Sequence, residues 1–160
     1  MVNTLLDDGF PKGALNYWKS AFFTELSDAA VRTMVEAFEA SPSIMSGMVI
    51  EHFHGEVTRV PVEATACELR RPGYNVALTS VWGESSDTDA NVDWTRKTYD
   101  SLAAFASSFR YVNYLAEDDL EAGETALRAA YGTNHARLAQ VKRTYDPDNL
   151  FRLNLNIPPA

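Results

Sequence analysis

Residues 65–82, TACELRRPGYNVALTSVW, decide the predicted fold of this 160-residue chain. The stretch holds two candidate strands, Thr65–Arg70 and Tyr74–Trp82, on either side of Arg71–Gly73. An Arg-Pro-Gly triplet between two strand-like runs is a turn signal of the kind that joins the strands of a β-hairpin. The segment therefore predicts two antiparallel neighbours in one sheet.

Upstream of this hairpin, the pattern predicts one helix and one further strand. The helix is indicated by an apolar stripe with i, i+3, i+4, i+7 spacing, made of Val31, Met34, Val35 and Phe38. Ser27 or Asp28 is its expected N-cap, and Ser41–Pro42 ends it. Met48–His54 then reads as a strand, because β-branched residues are followed by alternation, and a turn separates it from Val57–Val60.

Downstream of the hairpin, the periodicity becomes helical. A second helix is expected to begin between Ala90 and Asp93. Its buried face would hold Val92, Tyr99, Leu102 and Phe105, with Phe109 as a further candidate. After a short extended segment at Tyr111–Tyr114, two more helices follow around Gly123–Tyr131 and Asn134–Tyr145. The last helix stops there because a proline disfavours helix in the residue before it.

Hairpin-linked strands with helices between them favour an α+β fold, in which an antiparallel β-sheet carries helices packed mainly on one face. Strict alternation of strands and helices is absent, so a doubly wound α/β fold fits less well. A chain of 160 residues, 46% of them hydrophobic, suits one core and is too small for two ordinary domains. We therefore expect residues 1–160 to form a single domain.

The charge balance argues against partners that are themselves polyanions. Lys and Arg total 14 against 22 Asp and Glu, which gives a net charge of −8 and repels phosphate backbones and anionic membranes. We therefore expect neither a nucleic-acid nor a membrane partner. No stretch approaches the roughly twenty apolar residues of a membrane span, and the N-terminus lacks a secretory pattern.

Cysteine usage bears on the compartment. The only cysteine, Cys67, rules out an internal disulfide, and a disulfide-dependent secreted scaffold is therefore disfavoured. A reducing compartment is the simpler interpretation, so we expect a soluble, cytoplasmic protein.

Two histidines raise a metal hypothesis. His52 and His54 lie two residues apart on a predicted strand, so their side chains share one face. Two ligands fall short of the three or four that a zinc site uses, and nothing fixes His135 near them. We expect no metal site. The Asp146–Asn149 stretch lacks the twelve-residue calcium loop and is better interpreted as a turn and cap.

The C-terminal region carries the most specific pattern, with YVNY at Tyr111–Tyr114, YDPDNLFR at Tyr145–Arg152 and NLNIPP at Asn154–Pro159. This region, about residues 110–160, resembles the C-terminal segment of the berberine bridge enzyme-like family of FAD-linked oxidoreductases. Further landmarks of the same family occur in the same order over nearly the whole chain: Tyr17–Ser20, His52–Gly55, Val57–Pro61, Ala64–Ala66, Gly73–Asn75 and Trp82.

This resemblance implies the substrate-binding half of a two-domain flavoenzyme. In the family, the cofactor FAD is held by an N-terminal domain, which this sequence lacks, and the substrate-domain sheet covers the isoalloxazine ring. The sequence has no glycine-rich pyrophosphate loop. We therefore expect weak or no FAD binding by this chain alone.

The resemblance also implies roles for the residues of the YVNY element. Tyr114 corresponds to the tyrosine that acts as catalytic base in several members, Tyr111 is a candidate substrate-binding residue, and Asn113 a candidate cofactor-binding residue. A phenol with a pKa near 10 needs a cation or hydrogen-bond donors to act as a base. On an extended segment the two tyrosines point to opposite faces and cannot both reach one substrate unless the strand bulges.

Four further candidates come from the same comparison with the family. Asn154 and Asn156 lie in the terminal segment that can contact the flavin edge, although such amides could equally satisfy their own turn. Where many bacterial members carry a His-Arg pair, this chain has Glu68 and Arg70 as candidate substrate-binding residues. Glu68 could serve as acid or base if buried, but a glutamate on a half-exposed strand is more often solvated.

The leading hypothesis is therefore the substrate-domain portion of an FAD-dependent oxidoreductase, catalytically incomplete without a separate FAD-binding polypeptide, acting on a small-molecule substrate. It requires Tyr114, Asn154 and Asn156 to be exposed. The alternative is a stand-alone ligand-binding module or homodimer derived from that domain, since an uncovered apolar sheet face would invite dimerisation. A fragment of a longer gene product is the third hypothesis.

Overall fold

A computed structural model describes residues 9–115, 118–119, 124–153 and 155–160. The chain divides into two compact units. Unit 1 comprises residues up to Glu51 together with Tyr74–Ser107, and unit 2 comprises His52–Gly73 and Ser108–Ala160. The single-domain organisation expected from chain length stays a prediction.

Unit 1 is built on a three-stranded sheet with the strand order β1-β3-β2. Its strands are β1 (Leu15–Phe23), β2 (Gly47–Phe53) and β3 (Gly73–Trp82). β1 and β3 are antiparallel over their whole length, from Leu15 opposite Trp82 to Phe23 opposite Tyr74. Thr79 donates to the Gly47 carbonyl and Asn75 to the Glu51 carboxylate. These contacts run in opposite chain directions, so β2 and β3 are antiparallel as well.

The predicted hairpin is wrong, although its second strand is confirmed. Residues 65–70 form turn and coil, and β3 pairs instead with β2 and with β1, a strand that the pattern analysis did not predict. The sequence predicts a turn at Gly55 that is followed by Val57–Val60. The structure has a 3-10 turn over Gly55–Thr58, in which the Thr58 hydroxyl donates to the Gly55 carbonyl. Such side-chain to backbone bonds compete with strand pairing.

The helices of unit 1, α1 (Asp28–Glu39) and α2 (Thr88–Leu102), pack on one face of the sheet and confirm the α+β class. The core between them holds Ala21, Phe23, Ala30, Met34, Val76, Leu78 and Leu102. Ser27 is the N-cap of α1, as predicted, because its hydroxyl accepts from the Ala30 amide.

The apolar stripe predicted for α1 is only partly buried. Met34 belongs to the core, but Val31, Val35 and Phe38 keep 43–51% of their surface exposed. The small residues turn inward instead: Ala30 is fully buried, and the Ala37 carbonyl accepts a hydrogen bond from the Trp94 indole of α2. Close helix approach at alanines therefore rotates the larger side chains outward.

The buried face of α2 is more polar than predicted. Leu102 is buried as expected, whereas Val92 and Tyr99 are half-buried and Phe105 is exposed. The inward positions belong to Asn91, Trp94, Thr95, Thr98 and Leu102. Asn91 is tolerated inside because it donates to the Asp87 carbonyl and accepts from the Ser80 hydroxyl.

The second sheet face is not open. Phe22, Asn75, Ala77 and Val81, which alternate with the core-facing positions, are 0–2% exposed. The homodimer expected from an uncovered sheet face stays a prediction.

The described part of unit 2 includes short turns and the helices α3 (Glu124–Tyr131) and α4 (Asn134–Tyr145), both predicted from the sequence. Gly132, with a φ of 49°, joins them. The chain end lies along α4, where the Ala160 amide donates to the Ala139 carbonyl at 3.2 Å. Within the described ranges, no helix combines the length and apolarity needed to cross a membrane.

Candidate functional site

The YVNY element is a 3-10 turn over Val112–Tyr114, and the prediction of an extended segment is wrong. The Tyr114 amide donates to the Tyr111 carbonyl at 3.0 Å. Because a 3-10 helix has three residues per turn, residues i and i+3 lie on the same side. The two tyrosine rings therefore meet edge to face with centroids 5.7 Å apart, and the inference that they point to opposite faces is also wrong.

Tyr111 connects this pair to two other features of unit 2. Its ring also meets Phe53 edge to face, with centroids 5.7 Å apart. It lines a cavity of about 300 Å³, here called the Glu68 cavity. The polar side chains of this cavity wall belong to Cys67, Glu68, Arg110, Tyr111, Asn113 and Tyr131. Three predicted site residues, Glu68, Tyr111 and Asn113, are thus brought together.

Glu68 is buried, with 8% of its surface exposed, so the expectation of a solvated glutamate is wrong. One carboxylate oxygen lies 3.6 Å from the Arg71 guanidinium. The other, Oε2, is buried and has no hydrogen-bond partner among the described residues. The Arg71 guanidinium in turn lies 3.6 Å from the centre of the Phe109 ring, so the ion pair rests against an aromatic surface.

Gly132 leaves the space that the Glu68 carboxylate occupies. A Cβ atom at Gly132 would lie 2.4 Å from the Glu68 Cδ and 2.7 Å from both carboxylate oxygens. Its φ of 49° also lies in the left-handed region that favours glycine. The buried position of Glu68 therefore depends on a glycine at this point of the chain.

Tyr131 is a cavity residue that sequence reasoning missed. It closes α3 and faces the same cavity as Glu68 and Tyr111. A phenol with a pKa near 10 is protonated at neutral pH and can donate a hydrogen bond, and burial raises the pKa of Tyr131 further. The helical spacing of Tyr131 does not predict that it lines a cavity, because the cavity is formed only when the 66–69 loop folds against it.

Comparison with known proteins bears on the family to which the chain is related. Residues 110–158 match the family model described as "Berberine and berberine like". The chain belongs to the berberine bridge enzyme-like family. It is 28% identical over 134 residues to an uncharacterised FAD-linked oxidoreductase of Bacillus subtilis, covering 84% of this chain and 29% of that protein. It is 31% identical over 121 residues to berberine bridge enzyme-like 17 of Arabidopsis thaliana, covering 68% and 23%.

A solved structure shows the same fold. The berberine bridge enzyme of Eschscholzia californica superposes with a TM-score of 0.85 at 21% identity, over 94% of this chain and 34% of that enzyme. The chain thus spans about a third or less of the length of these family members. The Bacillus subtilis relative is named an FAD-linked oxidoreductase.

Other candidates that the family resemblance suggested lie outside the cavity wall. Arg70 donates to the Thr65 hydroxyl at 2.7 Å and to the Val57 carbonyl at 3.5 Å, so it ties down the loop before the cavity. Asn156 is half-buried, and Asn154 lies outside the described residues. Tyr114 is half-buried as well. The exposure that the split-enzyme hypothesis requires is therefore only partial, and the roles of these residues stay predictions.

The histidine pair has the geometry expected from the sequence but gains no further ligand. His52 and His54 lie with ring centroids 4.3 Å apart, and both are exposed. Over the described residues, no group of three or more His, Cys, Asp or Glu side chains could hold a metal ion.

Asp146 confirms the interpretation of the family's YDPDN sequence as a turn and cap. Its carboxylate accepts from the amides of Leu150 and Phe151, at 2.7 and 3.0 Å, and from the Lys142 ammonium. The hydrogen bond from Lys142 lowers the pKa of Asp146, and the two backbone amides add to this effect. The turn that follows reaches a φ of 52° at Asn149, a residue type that tolerates it.

Proposed function

We propose that this chain supplies the substrate side of an FAD-dependent oxidoreductase and works with a flavin-binding polypeptide. The observation that carries the proposal is the edge-to-face pair of Tyr111 and Tyr114 in the 3-10 turn. Tyr111 also lines the Glu68 cavity. One residue therefore connects the candidate base to the candidate substrate pocket.

Tyr114 is the proposed catalytic base. A bound substrate would lose its hydroxyl proton to the Tyr114 phenolate oxygen as its carbon is oxidised. FAD, when bound, accepts the two electrons that this oxidation releases. Tyr111 is a positioning residue, since its ring fixes the orientation of the Tyr114 ring, and Phe53 supports Tyr111 from the other side.

The chain offers a flavin only part of a binding site. Asn113 and Asn156 present amides, and the buried Oδ1 of Asn156 has no hydrogen-bond partner among the described residues, so it suits a ring N–H. The sequence has no glycine-rich pyrophosphate loop, and a 300 Å³ cavity suits a small ring and not a dinucleotide. The adenosine and pyrophosphate contacts would therefore come from another polypeptide.

The apolar surface near the C-terminus supports such a partner. Tyr145, Leu150, Phe151 and Leu153, here called the tail patch, are 75–86% exposed. Clustered exposed apolar side chains are typical of interaction surfaces. The relatives are at least three times as long as the segment they share with this chain, so a flavin-binding region is the occupant that the family favours.

The first test is the visible absorbance of the purified chain after incubation with FAD and desalting. We expect a colourless protein, because the dinucleotide contacts are missing. Mixing with the FAD-loaded remainder of the Bacillus subtilis relative, produced without its matching segment, should restore oxidation. A flavin band retained by the chain alone would contradict the proposed division of labour.

The second test addresses Tyr114 in that reconstituted complex. Tyr114→Phe should abolish oxidation and leave the thermal midpoint of the chain nearly unchanged, because only the hydroxyl is lost. Tyr17→Phe is the matched control, since it removes the same hydroxyl from a tyrosine of unit 1 that belongs neither to the YVNY element nor to the tail patch. Undiminished turnover in Tyr114→Phe would show that Tyr114 is not the catalytic base.

A stand-alone binding module is the second candidate function. It is favoured by the Glu68 cavity, whose wall residues all belong to unit 2 and need no flavin domain. In that case the tail patch would be a homodimer interface, and sedimentation would give a dimer that Phe151→Ser converts to a monomer. A chain that stays monomeric at all concentrations and binds a flavin-binding partner would favour the enzyme function.

A further inference from the structure

We propose that the Glu68 cavity binds a small, uncharged ligand with one ring, which donates a hydroxyl hydrogen bond to the Glu68 carboxylate. This proposal deepens the proposed function. It rests on that function only where it identifies the ligand as the substrate. The binding itself requires no flavin and can be measured on this chain alone.

The hydroxyl requirement comes from the Glu68 carboxylate. Glu68 is buried, and its Oε2 atom has no hydrogen-bond partner among the described residues. A buried acceptor without a donor loses the hydrogen bonds that water gave it and regains nothing. Glu68 belongs to the cavity wall, so a ligand hydroxyl that reaches its carboxylate would supply the missing donor.

The absence of net ligand charge follows from the neighbours of Glu68. The Arg71 guanidinium lies 3.6 Å from the other carboxylate oxygen, so the negative charge is already compensated. A cationic ligand would be repelled by Arg71, and an anionic ligand by Glu68. An uncharged hydroxyl avoids both costs, because it needs only the acceptor that the ion pair leaves unused.

Size and wall chemistry limit the ligand to about one ring. The volume of about 300 Å³ lies at the lower end of the roughly 300–1,000 Å³ typical of ligand pockets. Leu69 and Ala130 supply apolar wall, and Tyr111 and Tyr131 supply aromatic surface. The Tyr131 phenol lines the cavity and, like an ordinary phenol, is protonated at neutral pH, so it can donate to a ligand oxygen that Glu68 cannot serve.

The binding test uses phenol and toluene as matched probes, since both have one ring and only phenol has a hydroxyl. We expect saturable shifts of the Leu69 and Tyr131 amide resonances with phenol, and at least about tenfold weaker binding of toluene. Benzylamine, which is cationic at neutral pH, should bind more weakly than phenol. Equal affinity for phenol and toluene, or tighter binding of benzylamine, would overturn the inference.

The variants test whether Glu68 carries the selectivity. Glu68→Gln should weaken phenol binding about tenfold and leave toluene binding unchanged, because an amide oxygen is a poorer acceptor than a carboxylate. Glu63→Gln, at an exposed position of the same unit, is the matched control and should bind phenol like the natural chain. Phenol binding that survives Glu68→Gln at full strength would also overturn the inference. The comparison of probes on the natural chain decides the question even if the variant fails to fold.

The outcome is separable from that of the proposed function. The reconstituted complex could fail to oxidise substrate while the chain still binds phenol more tightly than toluene. That result would contradict the proposed enzyme function and support the binding site. No saturable phenol shift, together with Tyr114-dependent oxidation, would keep the enzyme and show that its substrate binds elsewhere.

Discussion

In unit 1, β1 and β3 pair residue for residue from Leu15 to Phe23, and α1 and α2 cover one face of their sheet. The described part of unit 2 has no such sheet, and contacts from side chains to backbone help to hold its irregular segments. Asn134 donates to the Val62 carbonyl at 3.0 Å and Arg137 to the Glu63 carbonyl at 3.1 Å. The candidate site residues that the structure describes, from Glu68 to Asn156, all belong to unit 2.

The difference separates a scaffold from a candidate site within this chain. Regular pairing spreads stability over many equivalent bonds, so single positions in β1 and β3 have no special chemistry. Irregular turns place individual side chains, as the 3-10 turn does for Tyr111 and Tyr114. The position of a functional side chain can then depend on one residue, as the position of Glu68 depends on Gly132.

The largest effect is expected in the core of unit 1. Phe23 is fully buried in this core, and Phe23→Ala should lower the free energy of unfolding by about 3–5 kcal/mol, because a large cavity remains. Phe38→Ala, at a half-exposed position of α1, should stay within about 0.5 kcal/mol. Urea unfolding checks both. Equal losses for the two variants would contradict the burial that separates them.

The next effect tests the dependence of unit 2 on one glycine. Gly132→Ala should cost about 1–3 kcal/mol, because the methyl group meets the Glu68 carboxylate and φ is positive. Part of this loss should vanish in the Glu68→Ala background, where only the backbone strain remains. A double-mutant cycle measures the coupling. Gly83→Ala is the control, since nothing lies within 4 Å of its Cβ position.

A smaller effect is expected at the start of α1 in unit 1. Ser27→Ala removes the hydroxyl that accepts from the Ala30 amide, and should cost about 1 kcal/mol. Ser27→Asp should restore most of the loss, because aspartate is an equally good N-cap. Hydrogen exchange of the first turn of α1 reads the change locally. An unaltered exchange rate in Ser27→Ala would show that the cap contributes nothing.

The smallest effect is confined to acid pH and to the turn after α4 in unit 2. The pKa of Asp146 is lowered in the folded chain by its hydrogen bond with Lys142. Its ordinary value in an unfolded chain is about 3.9. The folded state therefore gains stability above that value and loses it as the pH falls toward the lowered pKa.

Asp146→Asn should remove this part of the acid dependence and lower the thermal midpoint at neutral pH. Melting curves at neutral pH and down the acid range check the prediction. Asp148→Asn, in the same turn, is the control. Identical acid limbs for the natural chain and Asp146→Asn would show that Asp146 does not contribute.

Helices and the central strand could be predicted from periodicity because their signals are local. α1, α3, α4 and β3 lie close to their predicted positions, and Ser27 caps α1 as expected. The hairpin prediction was wrong because a turn signal does not determine whether the preceding segment pairs with another strand. Residues 65–70 found none, and the buried carboxylate of Glu68 and the loop contacts of Arg70 now fix that segment.

The sequence alone determined the family, the α+β class and the importance of the YVNY element, because these depend on residue order and on local spacing. Only the tertiary structure decided that Tyr111 and Tyr114 meet and that Glu68, Asn113 and Tyr131 share a cavity. It also decided that Gly132 leaves room for a carboxylate. These contacts join residues that lie far apart in the chain, or depend on whether a turn winds as a 3-10 helix or extends. Their energies come from burial and pairing, which no local pattern records.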